Sequence, residues 1–372
     1  MYVVPESAAP LRLGRRLFQS RTLETIVSPN GIDRYGQLLD PTFSVHRVLA
    51  RVEQVRRQTA GSVTLTLRPN ANWLGFEAGQ HVGVGVEVDG VVTTRYYSPA
   101  SSAEDDRSIE ITVALHPDGV VSPDLYYRAV PGEIVSLTQA FGEFTLPDSH
   151  AGDLLLICGG SGITPLMSML RTLHAQGHVG TVTLVSFAPT RADDLYVSEL
   201  KQLGAEMSRL QVVRGHTREH EPGGTLTGHI SAAKIKRICP RFAEIPTYVC
   251  GPPRLVAATE RIWKAAGASA SLKSESFTLP ELKLDAADAT GTLAFTESGI
   301  SVDNSGATLL DQAEAAGIAP TCGCRIGVCH ACDAHVKSGA ARDVRSGKVR
   351  ALSNERVQLC VNAPVGDFEL FI

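Results

Sequence analysis

The stretch TCGCRIGVCHAC, from Thr321 to Cys332, contains four of the chain's eight cysteines. Clustered cysteines serve zinc sites, disulfides or iron–sulfur clusters. The start of the chain lacks the apolar core of a secretory signal, so we expect a cytoplasmic protein, in which disulfides are rare. The stretch therefore favours a metal centre, and the spacing of the cysteines has to distinguish zinc from iron and sulfur.

The cysteine spacing matches one kind of iron–sulfur site. Cys324, Cys329 and Cys332 form the C-x4-C-x2-C pattern of plant-type [2Fe–2S] sites, which take a fourth, distant cysteine. Cys360, in VQLCVNAP, is the predicted fourth ligand, and Cys322 falls outside the pattern. We therefore expect the ligands to be Cys324, Cys329, Cys332 and Cys360. Cys322 is expected to be a bystander.

Zinc is the competing interpretation. Zinc sites usually pair two CxxC-like knuckles across a longer gap. Here CGC and CHAC are only four residues apart, which would crowd a tetrahedral site. A cluster instead needs a tight loop with small residues and backbone N–H groups around its sulfides, and Gly323 and Gly327 suit such a loop.

The segment around the cysteines predicts a small β-grasp-like domain over residues 291–372. An alternating hairpin comes first, and Thr308 with Asp311 then fits a capping box at the start of the helical TLLDQAEAAG. The strand DFELFI closes the segment. The part from Ala313 to Ile372 resembles a plant-type ferredoxin domain, with GCRIGVCHAC as its cluster loop.

The whole chain has an ordinary composition, with 372 residues, 43% hydrophobic and 20% charged, enough for two or three domains. Its net charge of −4 gives no reason to expect nucleic-acid binding. The longest apolar stretch, from Leu154 to Met167, is interrupted by Gly, Ser, Thr and Pro, so it does not predict a membrane span. Residues 1–43 form a mildly basic N-terminal extension, expected to be solvated, with a membrane-surface or partner contact as the alternative.

Residues 44–148 have the pattern of an antiparallel sheet. SVTLTL and HVGVGVEV place alternate apolar residues on one face, and Asp89-Gly90 then leads into VVTTRYYS. Alternating strands on either side of Asp-Gly are a strong hairpin signal. This segment therefore predicts an antiparallel β-barrel or sandwich.

Residues 149–277 repeat a strand and then a helix. DLLLIC is a continuous apolar run, as expected of a parallel strand buried on both faces. PLMSMLRTLHAQG has helical spacing, and TVTLVSF, LQVVRGH and TYVCG are further strands. The pattern predicts an α/β domain with a parallel sheet, joined to the cysteine domain by a linker over residues 278–290.

The barrel segment carries two short motifs. TTRYYSPAS contains Arg95, Tyr97 and Ser98 at a strand end, where an aromatic can stack on a flavin ring, a hydroxyl can bond its edge and an arginine can meet phosphates. An exposed aromatic strand end is the alternative. DGVVSPDLY supplies Gly119 and Ser122 before a short helix, where free N–H groups suit a pyrophosphate.

The α/β segment carries two further short motifs. CGGSGITP is a Gly-rich turn between a strand and a helix, in which Gly160 and Gly162 allow close backbone approach and Thr164 can cap the helix. It is not the GxGxxG of a Rossmann fingerprint. A later VCGPP contains Cys250, for which an inert buried thiol is the alternative.

In this order the motifs resemble the ferredoxin–NADP reductase superfamily, and the resemblance covers Ser44 to Ile372. It implies FAD, with Tyr97 against the ring, Ser98 near its reactive edge, and Arg95 and Ser122 at the phosphates. The implied catalytic residues are Tyr97, Ser98 and Cys250. The implied cofactor-binding residues are Arg95, Tyr96, Tyr97, Ser98, Gly119, Ser122, Gly160, Gly162, Thr164, Arg191, Gly251 and Pro252.

The nucleotide preference depends on two arginines. Arg191, in SFAPTRADDLY, lies where the superfamily reads the adenosine ribose, and Arg218, in HTRE, can help to meet a 2′-phosphate. Each could equally be solvated. We expect NADPH, with NADH as the alternative. Phe277, in SESF, is expected either near the flavin or in the core.

The resemblance implies an enzyme, an NAD(P)H:acceptor oxidoreductase. A nicotinamide delivers two electrons as a hydride, a flavin can release them singly, and a [2Fe–2S] cluster carries one at a time. Electrons are therefore expected to pass from NAD(P)H through FAD and the cluster to a partner protein.

The partner is predicted from the residues before the barrel. GIDRYGQLLDPTFSVHRV resembles an N-terminal extension of actinobacterial reductases that serve membrane-bound acyl-CoA desaturases, so a fatty-acid desaturase is the leading expectation. The alternative is the reductase component of a soluble Rieske or di-iron oxygenase. A non-enzymatic iron–sulfur sensor is a hypothesis of another class, which the flavin and nucleotide motifs disfavour because a sensor needs no hydride donor.

Overall fold

The computed structural model describes residues 31–88, 90–105, 107–147, 152–219, 226–277, 289–327 and 329–372. The basic part of the predicted extension and nearly all of the predicted linker lie outside these ranges. Helix α1 (Gly31–Gln37) opens the described chain. The carboxylate of Asp33 accepts hydrogen bonds from Ser44 Oγ at 2.7 Å and from the Val45 N–H at 2.8 Å. These bonds tie α1 to the residues that lead into the first strand.

The first sheet has six antiparallel strands: β1 (Val48–Thr59), β2 (Ser62–Pro69), β3 (Val82–Val88), β4 (Val91–Tyr97), β5 (Ile109–Ala114) and β6 (Ile134–Leu137). Their order is β4-β3-β6-β1-β2-β5. A bridge between Pro99 and Ile111 joins the two edges, so the sheet closes into a barrel. The pairing of Val88 with Val91 confirms the predicted hairpin, and Gly90 turns it with φ +80°.

The barrel core follows from the alternation along the strands. Val63, Leu65 and Leu67 of β2 are all fully buried, as the pattern predicts. Helix α2 (Val121–Tyr127) adds Val121 and Leu125 to the same core. This helix begins beside the strand ends that carry the predicted flavin motif.

The second sheet is parallel, with strands β7 (Leu154–Gly159), β8 (Val182–Ala188), β9 (Leu210–His216), β10 (Leu226–Thr227), β11 (Thr247–Cys250) and β12 (Leu272–Glu275). Their order is β10-β9-β8-β7-β11-β12. The helices of this region are α3 (Ile163–Ala175), α4 (Val197–Glu206), α5 (Ala232–Ile238) and α6 (Pro253–Ala265). Within the described ranges, no helix is both long and apolar enough to cross a membrane.

Both faces of this sheet are covered, which explains the continuous apolar run of β7. Leu154 and Leu156 belong to the core on one face, whereas Leu155 and Ile157 belong to the core on the other. The predicted parallel α/β sheet is therefore confirmed.

The third sheet has the strands β13 (Thr292–Phe295), β14 (Ile300–Asp303), β15 (Asp333–Asp343), β16 (Val349–Gln358) and β17 (Asn362–Phe371), in the order β14-β13-β17-β15-β16. Helix α7 (Leu309–Ala315) packs against it. Thr308 Oγ1 accepts the Asp311 N–H at 3.2 Å and donates to its carboxylate at 2.7 Å. The predicted cap and β-grasp-like arrangement are confirmed.

One part of this domain was not foreseen. β15 and β16 form a long antiparallel hairpin, paired from Asp333–Gln358 to Arg342–Val349. Along β16 only Leu352 and Val357 are buried, so the strand lacks the apolar alternation that reveals a strand in sequence. β17 also begins well before the predicted DFELFI.

A buried arginine joins the barrel to the parallel sheet. Arg171, on α3, donates to Glu199 Oε1 at 2.5 Å, to Glu110 Oε1 at 2.9 Å and to Ala100 O at 2.6 Å. Glu110 and Ala100 belong to the barrel region, whereas Glu199 lies on α4. The side chain of Arg171 is only 16% exposed, so its loss would remove the cation paired with Glu199 and leave Glu110 with Arg56 alone, at 3.5 Å, in a poorly solvated place.

We predict that Arg171→Met lowers the free energy of unfolding by about 3 kcal/mol, because breaking a buried ion pair leaves uncompensated charge. Urea denaturation followed by tryptophan fluorescence measures the change. Arg107→Met is the matched control, since the Arg107 side chain is 86% exposed, and it should change stability by less than about 0.5 kcal/mol. Equal stability of the two variants would contradict the assigned role of Arg171.

Candidate functional site

The loop between α7 and β15 carries three of the predicted ligands, and a short turn before β17 carries Cys360. The Cys324 N–H donates to Cys329 Sγ at 3.1 Å, and the Cys329 N–H donates back to Cys324 Sγ at 3.3 Å. The Ile326 N–H also donates to Cys324 Sγ, at 3.4 Å. Cys332 and Cys360 are buried. The loop therefore surrounds its sulfurs with backbone donors, as an iron–sulfur site requires.

The thiols are close enough to change one another's ionisation. A hydrogen bond to Cys360 lowers the pKa of Cys332 to about 7. Hydrogen bonds to Cys324 and Cys332 raise the pKa of Cys360, and a hydrogen bond to Cys324 raises the pKa of Cys329. Metal binding resolves such proton sharing because a coordinating thiol is deprotonated outright. The four predicted ligands thus lie close enough to influence one another, and their role as cluster ligands stays a prediction.

The loop depends on residues with left-handed backbone. Arg325, Gly327 and His330 have φ of +59°, +77° and +55°. A Cβ on Gly327 would lie 2.7 Å from Val361 Cγ1, so this position needs glycine for space as well as for φ. The expectation that glycine suits this loop is confirmed.

Cys322 lies at the entrance of the loop. It is half-buried and packs against the hydrophobic core of this domain. Its sulfur lies 3.6 Å from Arg325 Nη2, and the same guanidinium pairs with Glu314 at 2.9 Å. Arg325 therefore brings a positive charge to the loop while Glu314 holds it in place.

A cavity of about 260 Å³ lies between the barrel, the parallel sheet and the cysteine loop. Seven of the predicted cofactor-binding residues line it: Arg95, Tyr96, Tyr97, Ser98, Gly119, Ser122 and Thr164. The cysteine loop contributes Cys324 and Ile326. A predicted cluster ligand therefore lines the same cavity as the predicted flavin residues.

The barrel side of the cavity fits a flavin. Ser98 is buried, and within the described residues its Oγ has no hydrogen-bond partner. A buried hydroxyl left unpaired costs about 1–3 kcal/mol, which a bound polar group would recover. Tyr97 packs against the barrel core, and burial raises the pKa of its hydroxyl. Ser122 Oγ accepts the His116 N–H at 3.1 Å, which holds the start of α2.

Tyr96 faces the cysteine loop from the cavity wall. Burial raises the pKa of its hydroxyl, and the charge of Cys329 and a hydrogen bond to it raise that pKa further. Tyr96 was expected only as a flavin contact, but it also reaches a predicted cluster ligand.

The Gly-rich turn is packed directly on the end of β11. Residues Gly160–Gly162 form the turn that leads into α3. A Cβ on Gly162 would lie 2.7 Å from Gly251 Cα, and a Cβ on Gly251 would lie 3.0 Å from Gly159 N. The motifs CGGSGITP and VCGPP, which are distant in sequence, therefore form one site in which only glycine fits.

The expected capping role of Thr164 is wrong. Helix α3 starts at Ile163 without a side-chain cap, so Thr164 already lies inside the first turn. Its Oγ1 donates to Ser161 O at 3.0 Å instead. Thr164 still lines the cavity, so its expected position at the site is retained.

Sequence reasoning missed Glu275 and His81, which both line the cavity. Glu275 Oε1 lies 3.7 Å from His81 Nδ1, and Glu275 Oε2 lies 4.0 Å from Cys250 Sγ. Burial raises the pKa of Glu275 to about 8, so its carboxyl is largely protonated at neutral pH. The available signals were a glutamate ending a strand in SESF and a histidine opening HVGVGVEV.

Cys250 lies behind Glu275 and is fully buried. Burial, followed by the charge of Glu275, raises its pKa well above that of an ordinary thiol. Cys250 is thus a neutral thiol at the strand end. Phe277 lines the cavity and also packs against the core of the parallel sheet, and its position near the flavin stays a prediction.

The two predicted nucleotide arginines lie together outside this cavity. The Arg191 N–H donates to Glu219 Oε2 at 3.1 Å, and the Arg218 N–H donates to Pro189 O at 2.9 Å. Both therefore lie beyond the carboxyl ends of β8 and β9, the edge at which open α/β sheets bind ligands.

Three family models match the chain, one on each sheet. The oxidoreductase FAD-binding domain matches residues 47–146, and the oxidoreductase NAD-binding domain matches residues 156–261. The 2Fe-2S iron–sulfur cluster binding domain matches residues 295–363. The third match supports the cluster and not zinc.

Curated relatives align with much of the chain. An NADPH oxidoreductase of Mycobacterium tuberculosis is 36% identical over 353 residues, which are 93% of this chain and 90% of the relative. A glycine betaine monooxygenase reductase subunit of Pseudomonas aeruginosa is 26% identical and covers 78% of this chain and 86% of its own. The reductase component of propane 2-monooxygenase from Mycolicibacterium goodii is 27% identical over 57% of this chain and 62% of its own.

A solved structure has the same fold. Phthalate dioxygenase reductase, described as a modular structure for electron transfer from pyridine nucleotides to [2Fe-2S], aligns with a TM-score of 0.61. The alignment covers 88% of this chain and 98% of that one, at 19% identity.

The models and relatives make the chain an NAD(P)H-dependent oxidoreductase with FAD and [2Fe–2S] as its cofactors. Together with the three sheets and the cavity that they share, they lead to one assignment: the chain belongs to the ferredoxin–NADP reductase superfamily, among the members whose FAD and nucleotide domains are combined with a C-terminal [2Fe–2S] domain.

Proposed function

We propose that this chain is the reductase component of a terminal oxygenase and that its cavity relays electrons from NADPH to the cysteine loop. The observation that carries the proposal is that Cys324 lines the same cavity as Tyr97 and Ser98. An oxygenase partner is supported by the relatives from P. aeruginosa and M. goodii, which are named as monooxygenase reductase components. These names support an oxygenase better than the desaturase that the N-terminal extension suggested.

When bound, the nicotinamide supplies a hydride, the flavin takes two electrons and releases them singly, and the cluster carries one at a time. The chain provides the places for these groups. Tyr97 offers an aromatic face to the flavin ring, and the unpaired Ser98 Oγ bonds its reactive edge. Arg95 and Ser122 hold the phosphates from the cavity wall.

The parallel sheet provides the nicotinamide side. Glu275 lines the cavity and holds a proton on its carboxyl at neutral pH, so it adds no full negative charge beside the nicotinamide. Cys250 stays a neutral thiol behind it and fixes the end of β11. Phe277 covers the cavity and limits the access of water.

The Gly-rich turn and the two arginines bind the rest of the nucleotide. The backbone of Gly160 and Gly162, with Gly251 and Pro252 packed against it, receives the pyrophosphate. Arg191 and Arg218 meet a 2′-phosphate at the sheet edge, which favours NADPH over NADH. The name of the M. tuberculosis relative, an NADPH oxidoreductase, supports this preference.

The four cysteines of the expected set hold the cluster, and the loop is the exit of the electron path. On the loop, the side chains of Arg325 and His330 are 44% and 66% exposed. A partner protein approaches this side, where the cluster ligands are nearest to solvent. The cytoplasmic location stays a prediction.

We predict that Cys324→Ser abolishes the iron–sulfur absorption and the reduction of a protein acceptor, because one thiolate ligand is lost. Flavin reduction by NADPH should continue, since the barrel and parallel sheet keep their residues. Absorbance spectroscopy under anaerobic conditions measures both steps.

Cys322→Ser is the matched control for this loop and should retain the cluster, because Cys322 lies outside the ligand spacing. A Cys322→Ser protein without the iron–sulfur absorption, or an intact cluster in Cys324→Ser, would contradict the assigned ligand set.

We predict that the holoprotein supports turnover of a soluble Rieske or di-iron oxygenase in reconstitution, measured as product formed per NADPH consumed. The same assay with a membrane-bound acyl desaturase tests the other partner class. Cys324→Ser reductase controls for electrons that leak directly from the flavin. Turnover with the desaturase alone would contradict the proposed oxygenase partner and restore the desaturase.

A further inference from the structure

Tyr96 connects the wall of the flavin cavity to the cysteine loop. Its hydroxyl and Cys329 Sγ both lie beside Gly323, one on the barrel side and the other on the loop side. A Cβ on Gly323 would lie 2.7 Å from Tyr96 Oη and 2.8 Å from Cys329 Sγ. The hydroxyl of Tyr96 and the sulfur of Cys329 therefore come close to each other because Gly323, which lies beside both, has no side chain.

The ring of Tyr96 is held by an aromatic cluster. Its centroid lies 5.5 Å from that of Phe141 and 6.1 Å from that of His81, both in edge-on geometry. On the side of β3, a Cβ on Gly83 would lie 3.0 Å from Tyr96 Cε1, so the ring packs directly on this backbone. The hydroxyl is therefore aimed by the barrel before any cofactor binds.

The Tyr96 hydroxyl differs in origin from the backbone donor to this sulfur. Cys329 Sγ also accepts the Cys324 N–H at 3.1 Å, which belongs to the loop itself. Tyr96 belongs to the end of β4, next to the predicted flavin residues Tyr97 and Ser98. A phenol O–H is a hydrogen-bond donor at neutral pH. Its contribution at the sulfur exists only while the cysteine loop lies against the barrel.

We propose that Tyr96 is a positioning residue of the electron path, whose O–H donates to Cys329 Sγ and raises the reduction potential of the cluster. Hydrogen bonds to ligand sulfurs act in this direction because they stabilise the negative charge that reduction adds. The potential of the cluster thereby depends on the contact between the cysteine loop and the flavin barrel. This inference rests on the proposed assignment of Cys329 as a ligand.

The test is Tyr96→Phe in the full-length holoprotein, which removes the hydroxyl and keeps the ring. The expected result is a cluster that is harder to reduce. The equilibrium constant for its one-electron reduction should fall about fivefold, which lowers its midpoint potential by about 40 mV at about 59 mV per tenfold change. An anaerobic redox titration followed by EPR measures the midpoint potential of the cluster. The flavin and iron contents should equal those of the unsubstituted protein.

Two further variants separate the hydroxyl from the ring. Tyr96→Leu removes both and should shift the potential in the same direction as Tyr96→Phe. Tyr127→Phe is the matched control, because Tyr127 is 67% exposed on α2, and it should leave the potential unchanged. A shift in Tyr96→Leu but not in Tyr96→Phe would assign the effect to ring packing and overturn the proposal.

Gly323→Ala tests the same contact from the cysteine loop. It replaces Tyr96→Phe as the test if the Tyr96→Phe protein loses its flavin. The added methyl separates Tyr96 Oη from Cys329 Sγ, so the potential should again fall. An unchanged potential with an intact cluster overturns the proposal. Cys329→Ser checks the ligand assignment separately, because retention of the normal cluster there would refute the ligand and not the hydrogen bond alone.

Discussion

Gly323 permits the contact between the cysteine loop and the barrel, on which the proposed electron path depends. Without a side chain at this position, the cysteine loop lies against Tyr96 of the barrel, and Cys324 reaches the cavity that Tyr97 and Ser98 line. Electron transfer falls off steeply with distance, so a reductase that carries its flavin and cluster on different domains needs such an approach. The small residue in the loop therefore matters for the whole chain and not only for the fold of the cysteine domain.

The other two domains are held to the same cavity by contacts of a different kind. Arg171 ties α3 and α4 of the parallel sheet to the barrel through half-buried carboxylates. Gly162 and Gly251 let the nucleotide turn and the end of β11 pack without side chains between them. A charged anchor away from the cavity and glycine contacts beside it thus leave the centre free for cofactors. Ser98 Oγ, which has no hydrogen-bond partner among the described residues, lines this centre.

Much of this arrangement could be predicted from sequence, because local rules specify it. Cysteine spacing identified a cluster loop, continuous apolar β7 identified a sheet covered on both faces, and Thr308 identified the start of α7. The β15–β16 hairpin could not be predicted, because β16 buries too few side chains to show a period. Glu275 and His81 were missed for another reason, since their proximity at 3.7 Å arises only when β12 and β3, from different sheets, are brought together.

The central claim is that electrons pass from the nucleotide to the cysteine loop within one chain, through the shared cavity. It is tested most directly by mixing the anaerobic holoprotein with NADPH and following cluster reduction by rapid-freeze EPR over a wide dilution series. If electrons pass within one chain, the first-order rate constant for cluster reduction at saturating NADPH stays the same at every protein concentration. A rate constant that rises in proportion to protein concentration would show that electrons are exchanged between molecules and would contradict the claim.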